Sequence, residues 1–234
     1  MKKLDPMRAA PITRRRPRAG SRHQPEQTRQ AILNAAVGEF AAEGIAGARI
    51  DAIARTAGVN KALLYYYFKD KDALYGAVLE QVFGGLAQVV QAQLDRDLPP
   101  REKILAFAGA HFDYIAASPL FPRLVMREMM GAGRSYPPHI PTIVERYLKP
   151  TFAQVIAVMR QGIAAGEFRP VDPLQFVPSM VALNVFYFSS APVMRLLTGK
   201  DPLASERIRT RRIAVLDFIS AALFRAPQFE GGRP

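Results

Sequence analysis

From residue 25 onward, apolar residues recur at intervals of three and four, and strict alternation over strand lengths is hard to find. That period is the mark of helices burying one face, and it points to an all-α fold. In the first such segment, about 26–43, Ile32, Ala36 and Phe40 form one stripe with Leu33 and Val37 beside it; Gly44 is placed to stop it. Further helices are expected near 49–56, 61–67, 70–95, 101–117, 120–131, 141–165, 173–197 and 204–224, about nine in all. Asp70 stands at the N-cap of the fourth, with Asp72 in its first turn complementing the helix dipole. Pro178 and Pro192 should kink or interrupt the 173–197 segment.

Within this pattern, Arg49-Ile-Asp-Ala-Ile-Ala-Arg-Thr-Ala-Gly-Val-Asn-Lys-Ala-Leu-Leu-Tyr-Tyr-Tyr-Phe68 contains the parts of a helix-turn-helix. Such a unit needs two short helices at a steep angle, a small apolar core and a tight turn, often with glycine. Ile50, Ile53 and Ala54 can face the core from the first helix, and Ala57 keeps the approach close. Gly58 takes the turn, Val59 plugs the base, and Leu64 and Phe68 lie on the inner face of the second helix. Asn60, Lys61, Ala62, Tyr65 and Tyr66 are then directed outward, where this motif enters the major groove. Lys61 can donate to guanine O6 or N7, and tyrosine hydroxyls to phosphate oxygens. Ordinary packing is the competing reading of the aromatic run, and it suits Tyr67 and Phe68.

Residues 28–75 closely resemble the N-terminal domain of TetR-like transcriptional regulators. The matching residues are Ile32-Leu33, Ala35-Ala36, Phe40, Gly44, Ile53-Ala54, Ala57-Gly58-Val59, Leu64-Tyr65, Tyr67-Phe68, Lys71 and Leu74. The resemblance implies a three-helix DNA-binding domain on a larger helical sensor domain, with two subunits pairing through their last two helices. It implies that Lys61, Ala62, Tyr65 and Tyr66 meet double-stranded DNA and that Lys71 holds a phosphate. Two positions depart from the family pattern: Arg49, where Ser or Thr commonly caps the second helix and touches phosphate, and Ala62, where Gly is frequent. Arg49 could contact phosphate but could not also cap.

The resulting organisation is a disordered basic arm (1–24), a DNA-binding domain (25–72), an effector-binding and dimerisation domain (73–226) and a flexible tail (227–234). Of the formal net charge of +12, residues 1–23 carry +7. Such an arm can neutralise phosphates, or it can be a solubilising leader. Between 24 and 75 the charges cancel, so placement and motif, not net charge, mark the DNA-binding unit.

The second half is rich in Phe, Tyr and Met. His111, Met126, Met130, Phe152, Asn184 and Tyr187 are candidates to line a pocket for a small hydrophobic effector, with core packing as the alternative for each. Segments 173–197 and 204–224 hold more apolar residues than one amphipathic face needs, among them Phe186, Phe188, Ile213, Leu216, Ile219, Ala221 and Leu223. Paired across a two-fold axis they would form a four-helix bundle, making a homodimer that reads a palindromic operator.

Other classes find little support. His23, His111 and His139 have no metal-ligand spacing, there is no Gly-x-Ser-x-Gly elbow, and Gly131-Ala-Gly133 lacks a dinucleotide-site context. Neither catalysis, nor a metal, nor a cofactor is expected. Zero cysteines, no apolar run near the roughly 20 residues of a membrane span and no apolar stretch behind the basic N-terminus fit a cytoplasmic protein without a membrane partner. The expected function is therefore a sequence-specific transcriptional regulator, a repressor released by a small molecule. A non-sensing dimeric DNA-binding or architectural protein is the alternative.

Overall fold

The computed structural model describes residues 25–118, 120–131 and 139–225. The basic arm and the C-terminal tail of the sequence analysis lie outside them. The described residues form ten helices: α1 (Pro25–Gly47), α2 (Ile50–Thr56), α3 (Lys61–Tyr67), α4 (Lys71–Leu94), α5 (Pro100–Ala117), α6 (Phe121–Gly131), α7 (Ile140–Ile143, a π-helical turn Val144–Leu148, then Lys149–Ala164), α8 (Pro173–Ser189), α9 (Ala191–Thr198) and α10 (Ser205–Leu223). Among the described residues the only β-type pairing is an isolated bridge between Phe168 and Phe224. The fold is all-α, an N-terminal helix-turn-helix followed by a larger helical domain.

Local chemistry sets most boundaries. Gly44 breaks α1 as expected, with φ +67° and ψ 176° inside an otherwise helical run. A Cβ at Gly44 would also overlap the Arg127 guanidinium, whose Nη2 donates to the Ala42 carbonyl at 3.1 Å. Asp70 caps α4, accepting from the Ala73 N–H at 2.8 Å. The 173–197 segment divides at Ser190 with a bend of 63°, and Pro192 opens α9. Pro178, by contrast, sits inside α8 without ending it. The bond it forfeits is to the carbonyl of Leu174, in an exposed first turn where water can substitute.

A single apolar core runs through both parts of the chain. Ile32, Phe40, Ile53 and Leu64 of the first three helices join Leu74, Val78 and Leu79 of α4, which continue into Ile104, Phe112, Val155 and Ile219. α4 thus serves both units, which explains its apolarity. By length and composition it is apolar enough to cross a membrane, contrary to the expectation that no segment would be, yet half of its most apolar window is buried inside the fold.

The faces of α8 and α10 also need correcting. Phe186 and Ile213 are exposed, at 70% and 68%, but Phe188, Ile219 and Leu223 point inward, Phe188 lying 5.2 Å from the Phe112 ring. Phe218 takes the outward place on α10. The apolar residues of α8 and α10 exceed what one face needs, so docking on α5 and on each other, rather than composition, sets which of them turn inward.

Candidate nucleic-acid interface

The α2–α3 turn closes through three backbone bonds: Ala57 N–H to Ile53 O (2.9 Å), Gly58 N–H to Arg55 O (3.2 Å) and Val59 N–H to Ala54 O (3.0 Å). Gly58 adopts φ +69° with no heavy atom within 4 Å of where a Cβ would stand, so backbone conformation alone requires glycine there. Ile53, Ala54, Leu64 and Phe68 are buried and Ile50 and Val59 pack against them, the core expected from sequence.

With Leu64 and Phe68 inward, α3 presents Lys61, Ala62, Tyr65 and Tyr66 to solvent. Tyr65 is 42% and Tyr66 80% exposed, and the Tyr66 ring meets only the edge of Tyr67, at 5.3 Å. Leu63, unremarked in the sequence, is also exposed on this side. Asn60 is the N-cap of α3, its Oδ1 accepting from the Leu63 N–H at 2.7 Å. That leaves its Nδ2 hydrogens for another partner. Lys61 Nζ lies 3.2 Å from Asp51 Oδ1, with both side chains more than half exposed. Such a pair is worth well under about 1 kcal/mol, so the ammonium is free to leave it for a stronger acceptor.

Arg49 precedes α2 without supplying a side-chain cap. The Ala52 and Ile53 N–H groups go to the Arg49 carbonyl, at 3.0 and 3.1 Å, and the Arg49 N–H itself donates to the Glu39 carboxylate at 2.9 Å, ten residues away, where no local pattern announces it. The Arg49 guanidinium, which only donates, takes no part in capping and lies on an exposed residue. Lys71 is half-buried, its Nζ donating to the carbonyls of Ala46 (3.2 Å) and Ala48 (3.4 Å). Two of its three donors thus tie the α1–α2 connection to the start of α4, and one remains.

In the second half, the structure joins His111 and Asn184. Asn184 Nδ2 lies 2.9 Å from His111 Nδ1 and 3.4 Å from the Ala108 carbonyl, both side chains being buried, while Asn184 Oδ1 has no partner among the described residues. Burial lowers the His111 pKa from 6.5 to about 4, so the ring is neutral at neutral pH. Tyr187 is turned elsewhere, its hydroxyl donating to the Pro202 carbonyl at 2.6 Å. Phe152 packs half-buried on the core and Met126 is half-buried on α6; the Met130 side chain lies outside the described ones.

A glycine-turned helix pair with an uncovered aromatic and basic second helix, set on an all-helical body, defines a DNA-binding regulator. Comparison with known proteins gives the family. Residues 32–78 match the model of bacterial regulatory proteins of the tetR family, and residues 100–219 match a tetracyclin repressor-like C-terminal domain. The chain belongs to the TetR family of transcriptional regulators. It is 34% identical over 189 residues to the helix-turn-helix transcriptional repressor SCO4008 of Streptomyces coelicolor, covering 79% of this chain and 91% of that one. It is 29% identical over 171 residues to the regulator RutR of Escherichia coli, covering 73% and 78%. Among solved structures, the transcriptional regulator SCO4942 of S. coelicolor superposes with a TM-score of 0.66 at 27% identity, covering 85% of this chain and 99% of that one. The ketosteroid regulator KstR2 of Mycobacterium tuberculosis shares the fold, with a TM-score of 0.69 at 20% identity over 85% and 95% of the two chains.

Proposed function

We propose that this regulator is a cytoplasmic homodimeric repressor that leaves a palindromic operator when a small, hydrophobic molecule binds its C-terminal domain. The observation that carries the DNA-binding part is the solvent-facing surface of α3, with Tyr66 unsupported by packing beside Lys61 and Tyr65. Lys61 and Asn60 address base edges, Tyr65 and Tyr66 the strand beside them with Ala62 allowing close approach, and Arg49 and the spare donor of Lys71 hold phosphates. Repression is favoured by the names of relatives such as SCO4008 and the Pseudomonas putida repressor NicS.

Titrating the purified protein with DNA from its own upstream region and with a shuffled duplex, at two salt concentrations, tests this directly. Tight, sequence-preferring binding that weakens with salt is expected; equal binding to both duplexes would favour an architectural protein. Lys71→Ala should weaken binding to both duplexes alike and lower the salt slope by about 1. An unchanged slope would remove Lys71 from the phosphate contacts. Lys61→Ala should instead change base preference across operator variants.

Dimerisation is assigned to α8 and α10, whose Phe186, Ile213 and Phe218 are exposed. Phe186→Glu combined with Ile213→Glu should give a monomer by sedimentation, with operator affinity down at least about tenfold, because one head holds one half-site. A variant that stays dimeric would move the interface elsewhere.

For sensing, Asn184 Oδ1 is a buried acceptor without a partner among the described residues, a state costing about 1–3 kcal/mol that a ligand donor would relieve. A ligand favouring wrongly spaced heads would act through α4, which shares its core with both units. Thermal stabilisation by a hydrophobic effector, absent in Asn184→Leu, is the expected sign.

A further inference from the structure

A cleft of about 230 Å³ opens where the first helix meets the body, away from the His111–Asn184 pair. Its walls are Asn34 and Val37 of α1, Gln81 and Val82 of α4, Tyr114 and Ser118 at the end of α5, and Leu120 and Phe121 at the start of α6. We propose that this cleft is a second ligand site, specific for a small neutral aromatic molecule carrying a carboxamide-like edge.

Size limits the occupant. The volume is below the roughly 300–1,000 Å³ of sites for drug-sized molecules. It exceeds the roughly 150 Å³ that accommodates benzene. One ring with a short polar substituent fits between those limits.

Chemistry limits it further. The surface is mostly apolar, with Val37, Val82 and Leu120 beside the Tyr114 and Phe121 rings, which stand edge to face at 5.8 Å. Gly85 lets Tyr114 in, since a Cβ there would lie 2.6 Å from its hydroxyl, and that hydroxyl is already spent on the Val82 carbonyl at 2.8 Å. The rings are therefore fixed as walls before any ligand arrives. Among the described residues no charged side chain lines the cleft, so an ionic ligand would lose hydration without a counter-charge.

The polar edge is a carboxamide cluster. Gln81 Nε2 donates to Asn34 Oδ1 at 3.3 Å, and Gln30 Nε2 donates to Asn34 Oδ1 (2.9 Å) and Gln81 Oε1 (3.0 Å). The Asn34 Nδ2 hydrogens have no protein partner among the described residues, and Gln81 keeps one Nε2 hydrogen and one acceptor lone pair. A ligand with one donor and one acceptor side by side satisfies both residues without breaking the cluster. Because Asn34 and Gln81 belong to α1 and α4, such a ligand would cross-link the DNA-binding unit to the body, independently of any effector at Asn184.

The probe is benzamide, with benzoate as its charged isostere, and the readout is methyl NMR of the full-length protein. Benzamide is expected to shift the methyl signals of Val37, Val82 and Leu120 while leaving those of Ile104 and Val155 in place. Benzoate should bind at least tenfold more weakly. Asn34→Ala with Gln81→Ala should weaken benzamide at least fivefold, and Val37→Phe should abolish the shifts. Unfolding temperature and operator binding of each variant, close to those of the parent, show that it has folded; if Val37→Phe fails that check, Asn34→Ala/Gln81→Ala, at one exposed and one half-buried residue outside the core, decides. Absence of shifts at solubility-limited benzamide, equal binding of benzoate, or shifts confined to the methyls around His111 would overturn the site. The last of these outcomes would leave the proposed effector site at Asn184 standing.

Discussion

Replacing Tyr66 by alanine is expected to lower operator affinity by about 1–3 kcal/mol, roughly 5- to 150-fold, with almost no change in unfolding temperature. The separation of the two effects follows from geometry. The side chain is 80% exposed and makes one edge contact, so its removal uncovers no core. If it packs along the DNA backbone and donates to a phosphate, the whole loss falls on binding. Tyr66→Phe divides the two contributions: affinity near that of Tyr66→Ala would assign the effect to the hydroxyl, and affinity near the parent to the ring. Parental affinity in Tyr66→Ala itself would mean that another surface of the protein meets DNA.

Acidification should destabilise the protein through His111. Its pKa is 6.5 in the unfolded chain and about 4 in the fold, because burial disfavours the imidazolium and no carboxylate offsets that. Above pH 6.5 both states hold a neutral ring and the group contributes no pH dependence. Between 6.5 and 4 the unfolded chain takes up a proton that the native one refuses. Stability is then lost by up to about 1.4 kcal/mol per pH unit, approaching roughly 3 kcal/mol at pH 4. Urea unfolding at pH 7.5, 6 and 5 should show this slope in the parent and a shallower one in His111→Phe. The variant's own offset, from leaving the Asn184 amide without its imidazole partner, does not vary with pH and so does not mask the difference. Parallel pH curves would exclude His111 as the source.

The helix-turn-helix was legible because all its determinants lie close together in sequence. Gly58 must take the left-handed turn, and Ile53, Leu64 and Phe68 then have one face available to them. The expected capping role of Asp70 is observed for the same reason, since an N-cap bond spans three residues. Asn60 shows the limit of this reasoning. Read as an outward-facing DNA contact, it also caps α3, and the two roles share one side chain. Arg49 was readable as a helix start without a side-chain cap, but the Glu39 carboxylate that accepts from its backbone N–H lies on another helix.

Sequence alone determined that this chain is helical, where its recognition helix begins, and that Lys61, Ala62, Tyr65 and Tyr66 of α3 turn outward, because caps, turns and a 3.6-residue period act within a few positions; Leu63, exposed with them, was not picked out. Tertiary structure decided the rest. It set the π-helical turn of α7, the continuation of α8 through Pro178, and which way Phe186 and Phe188 face. It also brought Arg127 to the end of α1 and His111 to Asn184, partners 85 and 73 positions apart. Such pairings depend on how whole helices dock. A helix that is apolar on every side carries no record of its own rotation, and only the neighbours that cover one face resolve it.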